Sequence, residues 1–266
     1  MTKSKFWNQL AIFVITLLAI LSIREYFSYQ LIEKGIDSYQ THTFLKIGAN
    51  LLLIFVSYYL IKQNGLTKIS GLKGTQVKMW YLLIFPLVYL VLVNAIFMDD
   101  PKMDLLLPNI GLLVIYAISI GLSEELSIRG FLQSHLINEF GKTKKNIVLS
   151  IFVSSLFFGL IHFIKFDKGI YGELSQVCFA TFIGAMFGAL LVITKRLYPL
   201  VIIHALIDFV AKLDSAGNPI KHRIANSISI ESAVLTTLFI LPCLIYALFL
   251  MKKYKLIEQA KINKHK

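Results

Sequence analysis

The sequence predicts an all-α, polytopic membrane protein built as a bundle of about eight transmembrane helices. Hydrophobic residues make up 56% of its 266 residues and charged residues only 16%, and the mean hydropathy is +0.70. Soluble domains are less apolar and carry about 25% charged residues. The charges also cluster between long apolar runs. The chain is therefore not an ordinary soluble domain, and we expect a single membrane domain over residues 1–266.

Eight apolar runs approach or exceed the roughly 17 residues that a membrane helix requires. They lie near residues 7–23, 44–61, 79–97, 105–137, 146–164, 174–194, 198–211 and 229–251. The first run follows Lys3 and Lys5 as in a signal peptide, but it lacks a small-residue cleavage site, so we interpret it as a helix. The fourth run is too long for one simple span, and its polar end is expected to project into the cytoplasm. The seventh is short, and we expect its neighbours to bury it.

The distribution of lysine and arginine predicts that both termini are cytoplasmic. In that orientation 17 basic residues fall on the inner side, and nine fall on the outer side: Arg24, Lys34, Lys46, Lys102, Lys165, Lys168, Lys212, Lys221 and Arg223. The net charge of +12 is then a topology signal. We expect the lipid bilayer as the partner of this basic chain, and no nucleic acid.

The fourth run carries three ionisable residues within six positions. Such groups are costly inside a membrane and usually mark function or a fixed internal pair. Glu125 and Arg129 are four residues apart, so on a helix they share one face and can form an ion pair. Glu124 points about 100° away from Glu125. The helix thus has one carboxylate more than a structural ion pair needs.

The fifth run carries Phe158 and His162, again four residues apart. A polar turn around residues 141–145 joins it to the fourth run. Glu124 precedes Lys142 by 18 residues, and His162 follows Lys145 by 17 residues. An antiparallel hairpin would therefore bring Glu124 and His162 to nearly the same depth.

The seventh run supplies His204 and Asp208, also at a spacing of four residues. Asp208 could orient the imidazole of His204 or share a proton with it. The fourth, fifth and seventh runs thus carry intramembrane ionisable residues, although a single intramembrane histidine often serves only an interhelical hydrogen bond. The other histidines are expected to be solvated in loops, helix ends or the tail: His42, His135, His222 and His265.

These residues form three ordered motifs, Glu124-Glu125-xxx-Arg129, Phe158-xxx-His162 and His204-xxx-Asp208. The set resembles the motifs of the CAAX protease and bacteriocin-processing (CPBP, or Abi) intramembrane peptidases, which include the type II CAAX prenyl endopeptidases. The resemblance covers about residues 105–212, the expected catalytic core. Many members end the third motif in asparagine rather than aspartate.

The resemblance implies an endopeptidase that hydrolyses a peptide bond with an activated water. Glu124 would be the general base and His162 would help to hold the water. His204, oriented by Asp208, would stabilise the oxyanion. Glu125 and Arg129 would brace the helix, and Phe158 would shape the pocket.

The resemblance leaves the role of metal open. We expect a glutamate-type enzyme with no cofactor, and zinc is the alternative. The same four side chains would then be the ligands: Glu124, His162, His204 and Asp208. A non-catalytic membrane scaffold and a proton-coupled transporter are two further alternatives. The expected substrate is a peptide or membrane protein at a bacterial plasma membrane, in peptide processing or in bacteriocin self-immunity.

Overall fold

The computed structural model describes residues 3–74, 76–141, 143–220 and 228–264, which form helices and connecting turns without any strand. Nine α-helices follow one another along this part of the chain: α1 (Lys3–Glu33), α2 (Tyr39–Gln63), α3 (Ile84–Phe97), α4 (Met103–Glu124), α5 (Ser134–Phe140), α6 (Lys144–Leu160), α7 (Gly169–Thr194), α8 (Tyr198–Val210) and α9 (Ile230–Lys264). A π-helical segment, Glu125–Gln133, joins α4 to α5. Short 3₁₀ turns, Trp80–Leu83 and Ile161–Ile164, precede α3 and follow α6.

The predicted membrane helices are confirmed. Within the described residues, seven helical stretches are long and apolar enough to cross a bilayer, and Tyr198–Val210 is a shorter apolar helix. The fourth stretch, Met103–Phe140, is 38 residues long, because α4, the π-helical segment and α5 run on without a break. The chain is therefore a multi-pass helical membrane protein.

The α7 helix lies at the centre of the bundle, with 72% of its most apolar window buried. It packs against α6 on one side and α9 on another, and α4 packs against α2 and α8. Small residues along α7 and buried aliphatic side chains, among them Leu190 and Ile193, permit this close packing. The polar residues of the three motifs lie at the end of α4 and in the π-helical segment, in the 3₁₀ turn after α6, and on α8.

Two expectations about solvation were wrong. His135 is fully buried, because its ring stacks between Phe6 of α1 and Phe131, with ring centroids 4.6 and 5.0 Å away. Its Nε2 also contacts the backbone oxygen of Phe6 at 3.2 Å. The end of the fourth run is therefore buried at Gln133, Ser134 and His135, and α1 covers His135 there.

His42 is also buried rather than solvated. The hydroxyl of Ser28 lies 2.9 Å from its Nδ1, and the carbonyl of Ile36 lies 2.9 Å from its Nε2. The imidazole thereby fixes the connection between α1 and α2. His222 and His265 lie outside the described residues.

The α8 helix is buried on one face only. His204, Ile203 and Ile207 are buried, whereas Ile202 and Leu206 on the opposite face are half exposed. The expectation that neighbours would cover this short helix therefore holds only for the face that carries His204. The exposed face is apolar, as a lipid-facing surface of a membrane protein would be.

Candidate active site

The three motifs line one cavity of about 560 Å³ in the interior of the bundle. Ligand pockets commonly have volumes of roughly 300–1,000 Å³. Residues of α1, α2, α4, α6, α7 and α8 form its wall, including four of the predicted site residues: Glu124, His162, His204 and Asp208. The sequence-predicted residues of three helices are thus gathered at one place.

Glu125 is the centre of the polar network beside this cavity. Its side chain is fully buried, and its Oε1 lies 2.8 Å from Nη1 of Arg129. This is the ion pair that the spacing of four residues predicts. The same Oε1 also lies 2.8 Å from Nδ1 of His204. One carboxylate oxygen therefore joins the π-helical segment to α8.

Arg129 is completely buried and held by more than its ion pair. Its guanidinium lies 4.8 Å from the ring centroid of Phe158 and 5.5 Å from that of Phe187, within the distance of a cation–π contact. The ring of Phe158 in turn meets the ring of His162 edge to face, with centroids 5.0 Å apart. Arg129 therefore connects Glu125 to the aromatic side chain that packs against His162.

His204 faces carboxylates with both of its ring nitrogens. Opposite the Nδ1 contact with Glu125, Nε2 lies 3.4 Å from Oε2 of Glu124 and 3.4 Å from Oδ2 of Asp208. Carboxylates only accept hydrogen bonds. The surroundings thus suit an imidazole that donates through both nitrogens. The expected orienting residue of this ring is Asp208, whereas the shorter contact is to Glu125.

Glu124 and Glu125 have different surroundings, as their offset along the helix predicts. Glu125 is fully buried, whereas the side chain of Glu124 keeps 32% of its surface exposed. Glu124 lines the cavity, and the ion pair of Arg129 is formed with Glu125. The carboxylate of Glu124 is therefore accessible from the cavity.

A close approach between α4 and α8 brings His204 to the two glutamates. A Cβ atom added at Gly121, one turn before Glu125, would lie only 2.7 Å from the carbonyl oxygen of Val201 and 3.0 Å from the backbone nitrogen of Ala205. Only glycine leaves room for the α8 backbone at this position. The interhelical contacts of His204 depend on this gap.

His162 follows α6 in the 3₁₀ turn Ile161–Ile164. Its Nδ1 lies 2.7 Å from the carbonyl oxygen of Phe158. Because a carbonyl can only accept, Nδ1 carries the hydrogen, and in a neutral ring Nε2 is then an acceptor. His162 lines the cavity, so it can accept a hydrogen bond from a molecule bound there.

Lys212 is a site residue that the sequence did not predict. Its Nζ lies 2.6 Å from Oδ1 of Asp208. Burial alone would lower the pKa of Lys212, but the negative charge of Asp208 outweighs burial and raises it. The spacing of four residues between Asp208 and Lys212 is the sequence signal for this pair.

The chemistry of the four predicted side chains suits zinc, but their arrangement does not. Nowhere in the described part of the chain do three or more histidine, cysteine, aspartate or glutamate side chains form a group that could hold a metal ion. The ammonium of Lys212 also lies against one oxygen of Asp208. No metal site can therefore be assigned to these residues as they are placed.

The helical bundle and its buried cluster of carboxylates and imidazoles define a class: a polytopic membrane protein with an ionisable site inside the membrane domain. Residues 106–210 match the model of a protein family described as type II CAAX prenyl endopeptidase Rce1-like. The matched segment contains all three motifs, so the resemblance that they predicted is confirmed over this part of the chain, which is similar to the CAAX proteases. No curated protein matches the chain significantly.

Proposed function

We propose that this protein is an intramembrane endopeptidase in which Glu124 is the general base. The observation that carries the proposal is the division between the two adjacent glutamates. Glu125 is buried and bonded to Arg129 and His204, whereas Glu124 is partly exposed on the cavity wall. A base must reach a water molecule near the substrate, and Glu124 is the glutamate of this doublet with access to the cavity.

The reaction begins with attack of a water oxygen on the carbonyl carbon of the peptide bond. Glu124 accepts the proton that this water loses, and the carbonyl oxygen becomes the oxyanion of a tetrahedral intermediate. The C–N bond then breaks, and Glu124 returns the proton to the leaving amine. The products are a carboxylic acid and an amine, so atoms and charges balance.

In this scheme His204 stabilises the oxyanion. Its Nδ1 donates to Glu125, which fixes the ring, and its Nε2 faces the cavity side between Glu124 and Asp208. Fixed donors aimed at developing charge commonly contribute about 10²–10³-fold to the rate. The carboxylate of Asp208 would offset a positive charge on the imidazole of His204, and Lys212 would offset part of the negative charge of Asp208.

His162 is proposed to hold the attacking water. Its Nδ1 donates to Phe158, so its Nε2 can accept a hydrogen bond from that water. The water would then lie between Nε2 and the carboxylate of Glu124. Phe158 and Arg129 keep His162 in place through the aromatic contacts described above.

We infer that this chemistry runs without a metal ion, as a glutamate-type hydrolysis. The support is the geometry of the described residues, in which Lys212 takes up Oδ1 of Asp208 and Glu125 takes up Nδ1 of His204, two atoms that zinc could otherwise bind. The proposed substrate is a peptide or a membrane protein. Peptide processing and bacteriocin self-immunity at a bacterial plasma membrane are the two physiological settings that we propose.

The test is peptide hydrolysis by the purified full-length protein in detergent micelles. A library of apolar peptides is incubated with the protein, and products are identified by mass spectrometry. Cleavage is expected for the wild-type protein, with a loss of about 10²–10⁴-fold for Glu124→Gln. Glu33→Gln, at an exposed glutamate away from the cavity, should leave cleavage unchanged. Equal cleavage by Glu124→Gln would refute the proposal.

A further inference from the structure

The cavity wall carries basic side chains from the predicted outer side of the protein, beside the carboxylates of Glu25, Glu124 and Asp208. Five of the nine basic residues that the topology places on that side line the cavity: Arg24, Lys46, Lys165, Lys168 and Lys212. The rule that basic residues avoid the outer side makes such a concentration unexpected. More than half of the basic residues on the predicted outer side therefore lie at the cavity that holds the proposed active site.

Three of these five cations have a carboxylate partner. Their ion pairs are Arg24 with Glu25 at 2.7 Å, Lys165 with Asp167 at 2.6 Å and Lys212 with Asp208 at 2.6 Å. Such pairs largely neutralise themselves. The positive charge that remains on the wall belongs to the other two lysines.

Lys46 forms no ion pair with any residue that the structure describes. It lies on α2, seven residues after the first residue Tyr39, and therefore about 10 Å along the helix. Its ammonium lies 6.0 Å from the ring centroid of Tyr116, which offers at most a weak cation–π contact. An unpaired lysine within a membrane helix is costly, so it usually marks function.

Lys168 likewise lacks a carboxylate partner for its ammonium within the described ranges. Its Nζ donates to the neutral Oε1 of Gln176 at 2.9 Å. Burial, and then the positive charge of Lys165, lower the pKa of Lys168. A negatively charged ligand in the cavity would offset both effects.

The backbone around Lys168 is fixed rather than loose. The backbone N–H groups of Asp167 and Lys168 donate to Oε1 of Glu173 at 2.8 and 2.9 Å. Glu173 is buried in α7, and its carboxylate is taken up by the backbone. The ammonium of Lys168 is thereby presented to the cavity from a defined position.

We propose that Lys46 and Lys168 bind a carboxylate of the peptide substrate, so that the protein selects acidic peptides. This inference rests on the proposed function, because it names the substrate class of the same cavity. The carboxylate can be an acidic side chain or the C-terminus of the peptide. A cavity of about 560 Å³ accommodates a few residues, so that a carboxylate near the bond to be cleaved can reach the two lysines.

Direct binding tests the inference without requiring hydrolysis. The full-length Glu124→Gln protein in neutral detergent is titrated against a fluorescein-labelled, leucine-rich octapeptide with one central aspartate, and against its asparagine counterpart. Each peptide is made with a free and with an amidated C-terminus. We expect at least one carboxylate to tighten binding about tenfold, which corresponds to about 1.4 kcal/mol. Equal binding of all four peptides would overturn the inference.

The lysine variants locate the effect. Lys46→Met and Lys168→Gln, each added to the Glu124→Gln protein, should each reduce the preference for the carboxylate to less than about threefold. Lys46→Arg should keep it, and so should Lys102→Met, which removes an exposed lysine outside the cavity. A preference that persists in both lysine variants would assign it to the general surface charge and contradict the proposal.

Hydrolysis by the wild-type protein separates this inference from the proposed function. Cleavage of acidic and neutral peptides with the same kcat/KM would leave the peptidase intact and refute selection by Lys46 and Lys168. Charge-dependent binding without any cleavage would support selection by Lys46 and Lys168 and refute the peptidase. Thermal unfolding of each variant checks folding, and substitution of an unpaired cation by methionine is expected to be tolerated.

Discussion

Oε1 of Glu125 lies 2.8 Å from Nδ1 of His204, although 79 residues separate them. The same oxygen lies 2.8 Å from Nη1 of Arg129. The second glutamate of the doublet therefore does two things at once: it neutralises a buried arginine and it orients a histidine of another helix. Glu124, one position earlier, is left facing the cavity.

Removal of either partner of the buried ion pair is expected to lower the amount of folded protein. Glu125→Gln leaves Arg129 without its counter-ion, and Arg129→Ala leaves the buried carboxylate of Glu125 with His204 alone. Breaking such a pair typically costs about 3–5 kcal/mol. We expect both variants to show a large loss of monodisperse protein in size-exclusion chromatography after extraction from the membrane.

Glu124→Gln is the matched control, because it makes the same chemical change one residue away. It should give a nearly normal amount of folded protein with an activity about 10²–10⁴-fold lower. A similar loss of folded protein for all three variants would show that the two glutamates do not divide their roles in this way.

Sequence spacing could predict the Glu125–Arg129 pair but not the contact of Glu125 with His204. Residues four apart on one helix share a face whatever the tertiary structure is. The position of α8 beside α4 depends instead on how two distant helices pack. Gly121 was the available signal, but a glycine within an apolar run does not reveal which helix approaches it.

Gly121→Ala should reduce activity by moving α8 away from α4. The added Cβ would lie 2.7 Å from the carbonyl oxygen of Val201, and backbone atoms cannot give way as a flexible side chain can. Such overpacking typically costs about 1–3 kcal/mol, and a displacement of about 1 Å can cost about 10²-fold in rate. Thermal unfolding and peptide cleavage measure the two effects.

Gly111→Ala is the control on the same helix. A Cβ at Gly111 meets nothing within 4 Å, so stability and activity should stay at the wild-type level or rise slightly. If Gly121→Ala behaved in the same way, the close approach of α8 would not be what positions His204.

The topology prediction is tested with reporters. Both termini are expected to be cytoplasmic, so a reporter fused after Lys266 and one inserted in the 62–78 connection should both report the cytoplasm. A reporter between α3 and α4, near Asp100, should report the opposite side. An external signal from either of the first two would overturn the predicted orientation.

The sequence predicted the membrane helices well, because the summed hydropathy of about 20 residues reflects the free energy of transferring that segment from water into the membrane. It predicted solvation of single polar residues less well. Phe131 lies four residues before His135, but Phe6, which covers the other face of the ring, lies 129 residues away. The polar residues around His135 therefore predicted a solvated helix end, whereas the imidazole of His135 is buried by tertiary contacts.

Metal dependence is tested by removal and return of metal. If Glu124 and His162 activate the water by themselves, exhaustive chelation of the purified protein should leave the cleavage rate unchanged. Inductively coupled plasma mass spectrometry on the same sample checks that metal has been removed. Stoichiometric zinc, with activity lost on its removal and restored on its return, would require a rearrangement of Glu124, His162, His204 and Asp208 into a ligand set.

The proposed sharing of one water by Glu124 and His162 predicts that their effects on rate are not independent. Both residues line the cavity, and matched distances from the connecting turn predict that they face each other. If both act on the same water, the double variant Glu124→Gln/His162→Gln should lose little more activity than the worse single variant, as groups acting as a unit do.

Single-turnover cleavage rates of the two single variants and the double variant provide the measurement. The comparison pair is Glu124→Gln with Lys168→Gln, because Lys168 is proposed to bind the substrate and not the water. The losses in kcat/KM caused by Glu124→Gln and by Lys168→Gln should multiply in the double variant, as they do for independent sites. If the losses for Glu124→Gln and His162→Gln multiplied as well, the two residues would not share a water. His162 would then act elsewhere in the cavity, and Glu124 would need a different partner, for which His204, 3.4 Å away, is the neighbour that the structure provides.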